Sequence, residues 1–435
     1  MKHRRWFTTL ALVGVFSIVA AGCADDGGTG GGGGDVDCAT VEFGCVEVGA
    51  NEPINIGVSQ VISGADSTLG QDQVNGIELA LDYREDETFD ATNGQVLGHE
   101  LTTTVEDDGC SAEGGQAAIT ALVNDPSVVG IIGTSCSSGA LGVGDKLASD
   151  KGVIMISGSN TNPALTAEGT HEPFYARTAH NDRIQGAIVA EFALGELEAT
   201  TAATIADESP YTQGLVAAFE QNFEAGDGTI TGSEQVNSED TDFKAPLRSL
   251  AEQSPDVLYF PIFVAACTLV IKQAREIMPE TELIVSDGCL SSDTLKNAGA
   301  EGEGVYASSP DPGGTASDFY FDEFLPAYQE AFGSEPLSVF HAHAYDATNI
   351  LLDAIEAVAI ENDDGSLSIP RQALRDEVFG TSGYEGVIGT FECTELGDCA
   401  TDVSIGIYQA PAWPVEGGTG SETVYSDIKS LDDVL

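Results

Sequence analysis

Hydroxyl side chains follow two consecutive strand-like segments of this 435-residue chain. Ser137 and Ser138 come after Cys136 and the apolar segment SVVGII, and Ser159 and Thr161 follow the segment GVIMIS. Free backbone N–H groups at a helix start favour an anion. Two such starts side by side would form a carboxylate-sized site without a basic residue, although Ser, Thr and Asn also cap helices without any ligand.

Three further residues could complete a site for a zwitterion. Asp287, in the segment LIVSDG, could pair with an amine, although Asp before Gly is commonly a turn residue. Tyr211 and Phe263 follow other strand-like segments. They could form a wall around an apolar side chain, or they could belong to the core.

Catalytic arrangements are poorly supported by the sequence. The GxSxG pattern is not met, because residue 137 is Ser rather than Gly. Cys136 as a nucleophile would need a nearby histidine that the sequence does not indicate. His341 and His343 would point to different faces of a helix, so they do not suggest a shared metal. We therefore expect no enzyme activity, no cofactor and no metal.

The elements that must position these residues are short strands alternating with helices, in two blocks at 53–178 and 179–307. This alternation predicts parallel α/β sheets, in which ligands bind beyond the carboxyl ends of the strands. We expect helices to begin near Ser137 and at Asn162. Later helices and two hairpin-like strands, GVIGTF and VSIGIYQ, suggest that the chain returns to both blocks.

The N terminus is typical of an exported protein. Basic residues precede an apolar run that ends in AAGC at 20–23, as in a signal peptide. AAGC resembles the bacterial lipobox, which implies cleavage before Cys23 and lipid on its thiol. An ordinary signal peptide is the alternative, and two adjacent arginines hint at twin-arginine export. The Gly-rich stretch that follows predicts a flexible tether.

Composition narrows the possible partners and the compartment. The chain has 71 acidic and 16 basic residues and a net charge of −55, which disfavours binding to nucleic acid. The acidity indicates adaptation to salt or simply an acidic secreted proteome. Nine cysteines leave an even eight if Cys23 carries lipid, and this favours disulfides in an exported chain.

Several motifs together resemble a known family. The matches span about 53 to 410 and include INIGVSQVISGADSTLGQDQVNGIELALD, ALVNDPSVVGIIGTSCSSGA, GVIMISGSNTNPALT, ADESPYTQGL and SPDVLYF. They resemble the substrate-binding proteins of branched-chain amino acid ABC transporters, the Leu/Ile/Val-binding family of type I periplasmic binding proteins.

The resemblance implies an α/β fold of two lobes, each a parallel-sheet α/β sandwich, with three crossovers at the hinge. We expect a signal peptide at 1–22 and a lipid-anchored tether at 23–52. The predicted first lobe comprises 53–178 and 310–385, and the second comprises 179–309 and 386–435.

The resemblance also assigns residues to a ligand site. Ser137 would hold the ligand carboxylate with Thr161 beside it, and Ser159 would hold the amine through its carbonyl. Tyr211 and Phe263 would line the second lobe. Two positions bear on which ligand is bound. Leu69 stands where relatives often have an aromatic residue. Asp287 stands where amino-acid-binding relatives often have an acidic residue, and its side chain is one methylene shorter than that of Glu.

A disulfide between Cys110 and Cys136 is also implied by the resemblance. With the even cysteine count and the placement at strand ends, we predict four pairs: Cys38–Cys45, Cys110–Cys136, Cys267–Cys289 and Cys393–Cys399.

The implied function is a monomeric extracytoplasmic lipoprotein at the outer face of the membrane or in the periplasm. It would capture a branched-chain or related amino acid and deliver it to an ABC permease. Binding of short amides, urea or aromatic acids is an alternative ligand class, and a ligand-sensing module without transport is an alternative role.

We expect the free energy of unfolding to rise with added salt, because screening weakens repulsion across a surface this acidic. Thermal melting between low and about molar NaCl measures the effect. KCl should act like NaCl, since screening does not distinguish them. A melting temperature that stays flat or falls would contradict this expectation.

Overall fold

A computed structural model gives the structure, and the residues that it describes are 38–83, 94–416, 418 and 422–434. The chain divides into two units, 1–36 and 37–435, and only the second contains described residues. The predicted signal peptide, Cys23 and the tether up to residue 37 lie outside them. Among the described helices, none is both long and apolar enough to cross a membrane.

Six strands form the sheet of the first lobe, and all but one edge hairpin are parallel. In spatial order they are Gln95–Val96, His99–Asp107, Ile54–Gln60, Val128–Gly133, Met155–Ser157 and Tyr175–Arg177. The strands Ile54–Gln60 and Val128–Gly133 are buried at every position, as expected where helices cover both faces. The covering helices are Ser67–Asp82 with His341–Val358, and Ala112–Asn124 with Asp145–Lys151.

Seven strands form the sheet of the second lobe. Their spatial order is Tyr425–Lys429, Val403–Gln409, Tyr306–Pro310, Glu282–Val285, Val257–Tyr259, Thr201–Ala206 and Thr229–Gln235. The first two are antiparallel to their neighbours and the others run parallel. The covering helices are Asp182–Gly195 with Pro210–Ala225, and Lys244–Ala251 with Val264–Ile277.

The remaining elements are short. The other α-helices are Ser292–Ala298, Pro312–Thr315, Leu325–Phe332 and Arg371–Phe379. π-helical turns occupy Ala140–Gly144 and Tyr320–Phe324. 3₁₀ turns occupy Pro163–Thr166, Asp287–Cys289, Gly299–Gly302 and Leu431–Asp433. One small sheet contains the strands Cys45–Val48, Leu367–Pro370 and Ile360–Glu361. A second contains Tyr384–Glu385 and Thr390–Phe391.

The predicted two-lobed α/β fold is confirmed, but the prediction that the last two strand-like segments form a hairpin is wrong. GVIGTF and VSIGIYQ do not pair with each other. The strand Val403–Gln409 instead lies inside the second sheet, between Tyr306–Pro310 and Tyr425–Lys429. Six of its seven residues are buried, which suits a strand with neighbours on both sides. Thr390–Phe391 pairs locally with Tyr384–Glu385.

Both helices predicted to begin at the site are shorter than expected. After Cys136 a single turn, Ser137–Gly139, is followed by a kink in which Gly142 has a φ of 73°, and a helix resumes at Asp145. Left-handed backbone of this kind favours glycine, which has no Cβ. The stretch after Asn162 is one 3₁₀ turn. A long helix dipole is therefore absent from both loops, which offer hydroxyls and backbone N–H groups instead.

The last crossover lies close to residue 400. Phe391 and Cys399 pack in the same cluster as the strands of the first sheet, and the chain enters the second sheet at Val403. We therefore propose that the second lobe resumes near residue 400 rather than at 386.

All four predicted disulfides are confirmed: Cys38–Cys45, Cys110–Cys136, Cys267–Cys289 and Cys393–Cys399. Cys110–Cys136 links the loops after two strands of the first sheet. It therefore restrains the loop that carries Ser137.

Replacing Cys110 and Cys136 together by Ala should lower the free energy of unfolding by about 2–4 kcal/mol. The reason is that the unfolded chain regains the conformational entropy that the disulfide removes by closing a loop. Denaturant unfolding measures the change. The matched control replaces Cys38 and Cys45, which close a loop of only 7 residues and should cost less. An equal or larger loss in the control would contradict the loop-length argument.

Candidate ligand-binding site

Two neighbouring strands of the first sheet end in loops that are tied together. The Ser159 hydroxyl donates to the carbonyl of Ser135 at 2.7 Å. The backbone N–H of Asn162 donates to Ser137 Oγ at 3.3 Å. Because Ser137 Oγ accepts this bond, its own proton stays available for an acceptor in the cleft.

Thr161 lies at the centre of this region. Its side chain is fully buried, and its Oγ1 has no hydrogen-bond partner. Its carbonyl accepts the backbone N–H of Asp182 at 3.0 Å. The beginning of the helix Asp182–Gly195 therefore lies directly against the Thr161 loop.

Asp182 is the most unusual group of the region. It is fully buried, and neither carboxyl oxygen has a hydrogen-bond partner. Burial raises its pKa well above the usual value, and the Asp287 carboxyl adds to the rise. The Thr161 hydroxyl and Arg177 are close enough to oppose the rise, but neither forms a hydrogen bond of ordinary geometry with an Asp182 oxygen. A buried carboxylate without a partner is costly, so this group is suited to receive a cation.

The nearby arginine does not fill that role. Arg177 is fully buried, and its Nε donates to Asp398 Oδ1 at 2.5 Å. Its other nitrogens donate to the carbonyl of Asn162 at 2.9 Å and to Thr166 Oγ1 at 2.6 Å. The guanidinium therefore fixes the loop that carries Thr161 and leaves the Asp182 oxygens without a donor.

Three of the predicted site residues, Tyr211, Phe263 and Asp287, follow three adjacent strands of the second sheet. The rings of Tyr211 and Phe263 are 5.2 Å apart. The Tyr211 hydroxyl lies 2.6 Å from Ser286 Oγ and accepts the N–H of Gly288 at 3.3 Å. A Cβ at Gly288 would lie 3.0 Å from the Tyr211 ring, so glycine permits this close packing.

The Asp287 carboxyl accepts a hydrogen bond from one amide side chain. Gln185 Nε2 donates to its Oδ1 at 2.7 Å. Burial raises the pKa of Asp287 to about 6, and the hydrogen bonds from Gln185 and Tyr211 limit the rise. Since Asp182 and Asp287 raise each other's cost of ionisation, a cation near both would stabilise the charged pair.

The facing ends of the two lobes are in contact. Asn162 Nδ2 donates to the carbonyl of Pro210 at 2.6 Å, and the hydroxyls of Thr68 and Ser291 lie 3.0 Å apart. Leu69 packs in an apolar cluster that also contains residues of the second lobe. The structure thus brings all seven predicted site residues to this junction, and their contacts with a ligand stay predictions.

Sequence reasoning missed Asp182 and Gln185. Both lie in NDRIQG, three residues apart, and this spacing puts them on one face of the helix. Asn181 caps that helix by accepting the N–H of Arg183. The only signal was an acidic residue at a helix start, which is also the ordinary place for an acid that serves the helix dipole.

Comparisons with known proteins agree with this architecture. A family model described as "Periplasmic binding protein" matches residues 53–400. The leucine-specific-binding protein of Salmonella typhimurium is 24% identical over 85% of this chain and 93% of its own length. A Pseudomonas aeruginosa protein named for binding leucine, isoleucine, valine, threonine and alanine is 26% identical over 76% of this chain and 84% of its own.

Solved structures resemble it too. A leucine binding protein from Thermotoga maritima superposes with a TM-score of 0.73 at 26% identity, covering 88% of this chain and 100% of that one. A solute-binding protein from R. palustris in complex with benzoate gives a TM-score of 0.72 at 18% identity, covering 88% and 99%. The chain belongs to the periplasmic binding protein family, with the type I two-lobed fold.

Proposed function

We propose that this protein captures an amino acid between its lobes and delivers it to an ABC permease. One observation carries the proposal: the buried carboxyls of Asp182 and Asp287 lie near each other beside Thr161, and no basic side chain among the described residues donates to either. An ammonium group supplies the charge and the donors that this pair lacks.

The other end of the ligand meets neutral donors. Ser137 has a free hydroxyl proton, and the first backbone N–H groups of its helical turn have no partner within the turn. The Thr161 hydroxyl is also unused. These groups suit a carboxylate, whereas Leu69, Tyr211 and Phe263 supply apolar surface for a side chain.

Ligand binding on this plan favours the closed form. The carboxylate contacts Ser137 of the first lobe, and the ammonium contacts Asp287 of the second lobe. Only the closed arrangement offers both contacts, and a ligand shifts an equilibrium by its difference in affinity for the two states. No group in this arrangement has the geometry of a nucleophile with its base, so the proposal is binding without catalysis.

Export and anchoring complete the proposal. The signal peptide at 1–22 and lipid on Cys23 would place the lobes outside the cytoplasmic membrane, where a tether lets them reach a permease. Two relatives named for binding branched-chain amino acids support the ligand class. The neighbour that holds benzoate shares the fold at 18% identity, and benzoate has no amine to neutralise Asp182.

Calorimetry against amino acids, their amides, urea and benzoate separates these ligand classes. We expect amino acids with apolar side chains to bind, and benzoate and urea not to bind, because neither brings a cation to the two carboxyls. Amides of the same amino acids should bind more weakly, since they lose the carboxylate. Tight binding of benzoate without binding of any amine would overturn the proposal.

Asp182→Asn should weaken amino acid binding by at least about a hundredfold, because breaking a buried charge pair costs roughly 3–5 kcal/mol. Calorimetry at pH 7 measures this. The matched control is Asp145→Asn, which removes another buried carboxyl of the first lobe whose burial raises its pKa to about 6 and which is not among the predicted ligand contacts. Equal losses in both variants would remove Asp182 from the ligand contacts.

The same variant should stabilise the unliganded protein at neutral pH. The folded pKa of Asp182 is raised above its unfolded value, so stability falls as pH rises above that unfolded value, near 3.8. An asparagine at this position does not ionise, so the variant does not lose this stability as the pH rises. We expect Asp182→Asn to raise the melting temperature at pH 7 and to change it little at pH 4. A lower melting temperature at pH 7 would show that the carboxylate stabilises the empty cleft.

A further inference from the structure

Gln185 connects the ligand site to the crossover between the lobes. Its Nε2 donates to Asp287 Oδ1 at 2.7 Å and to Ser308 Oγ at 2.9 Å. Its Oε1 lies 2.6 Å from His180 Nε2. The side chain is fully buried, so each of these groups is a permanent neighbour rather than a passing surface contact.

The direction of every bond in this chain is determined by chemistry. Asp287 as a carboxylate only accepts, so the amide must present its NH₂ to it. The amide oxygen then faces His180, whose Nε2 must be the donor. Burial lowers the pKa of His180 to about 4, so the imidazole is neutral near pH 7 and carries its single proton on Nε2.

The Asp287 carboxylate keeps the amide from turning over, because a flipped Gln185 would place its oxygen against that carboxylate. His180 completes this arrangement by donating from Nε2 to the amide oxygen. His180 itself is held by stacking on Phe340, with ring centroids 6.2 Å apart.

We propose that Gln185 is a positioning residue for ligand binding: its amide, held between His180 and Asp287, keeps the Asp287 carboxyl as the acceptor for a ligand ammonium group. The inference rests on the proposed function for the identity of the ligand. It adds that the carboxyl is prepared for the amine before any ligand arrives, by a donor that never touches the ligand.

The groups that face Asp287 are few, so a pH profile can isolate the effect. They are Asp182 at the helix start, the phenols of Tyr211 and Tyr259, and neutral His180 behind Gln185. Burial raises the pKa values of both phenols well above their usual range. Of these groups Asp287 has its pKa near 6, and the displacement of this midpoint between parent and variant isolates the effect of Gln185.

The experiment compares amino acid affinity from pH 5 to 8 for the full chain, Gln185→Met and His180→Phe. The parent should gain affinity as pH rises through about 6, where Asp287 ionises. Gln185→Met loses the donor that lowers this pKa, so its profile should move to higher pH. A midpoint that moves from about pH 6 to about pH 7 weakens binding about fivefold at pH 6, nearly tenfold at pH 5 and little at pH 8. His180→Phe should shift it in the same direction but less.

Thr281→Val is the matched control. Thr281 is buried and donates to the carbonyl of Pro255 at 3.0 Å, just before the strand whose far end leads to Asp287. Its loss should leave the pH profile in place. If Gln185→Met weakened amino acid affinity equally at every pH, the role of Gln185 would be purely structural and the inference would be overturned.

A second readout keeps this inference separate from the proposed function. Carboxyl ¹³C NMR of the unliganded chain, with Asp287→Asn identifying the resonance, follows the ionisation of Asp287 directly. Gln185→Met should raise its midpoint pH whether or not the ligand is an amino acid. An unmoved midpoint would overturn the positioning role, whereas a shifted midpoint with no amino acid binding would overturn only the proposed function.

Discussion

Two buried carboxyl groups without a cation are the constraint on which the cleft depends. Asp182 has no partner on either oxygen, and Asp287 has one amide donor and a nearby phenol. Charges removed from water are expensive unless paired and hydrogen-bonded. In the function that we propose, a ligand ammonium group supplies the charge and the hydrogen-bond donors that these two carboxyls lack.

The scaffold places these groups from different directions and holds each loop firmly. The helix Asp182–Gly195 begins immediately after the crossover, so Asp182 meets the Thr161 loop through a backbone hydrogen bond. The buried pair of Arg177 and Asp398 fixes the other side of that loop. Because the Arg177 guanidinium is used in this way, it shapes the site without neutralising it.

Much of the fold could be predicted because the sequence alternates short apolar strands with helices, and the carboxyl ends of parallel strands gather polar residues. That rule is the basis on which Ser137, Thr161, Tyr211 and Asp287 are predicted as site residues, and the structure places them at the junction of the lobes. Asp182 is not predicted, because an acid at a helix start has an ordinary role with the dipole and only burial reveals the difference. The kink at Gly142 and the placement of Val403–Gln409 depend on tertiary packing that no local pattern contains.

The acidity of the surface and the acidity of the cleft act on a ligand at different ranges. The net charge of −55 creates a field that attracts cations, repels free anions and weakens as salt screens it. Asp182 and Asp287 act at contact, where water and salt are excluded and screening matters little. An amino acid zwitterion carries no net charge, so this long-range field steers it little, and its affinity depends on the buried contacts. Added salt therefore screens the surface field, whereas the selectivity that we propose depends on the two carboxyls that the lobes enclose.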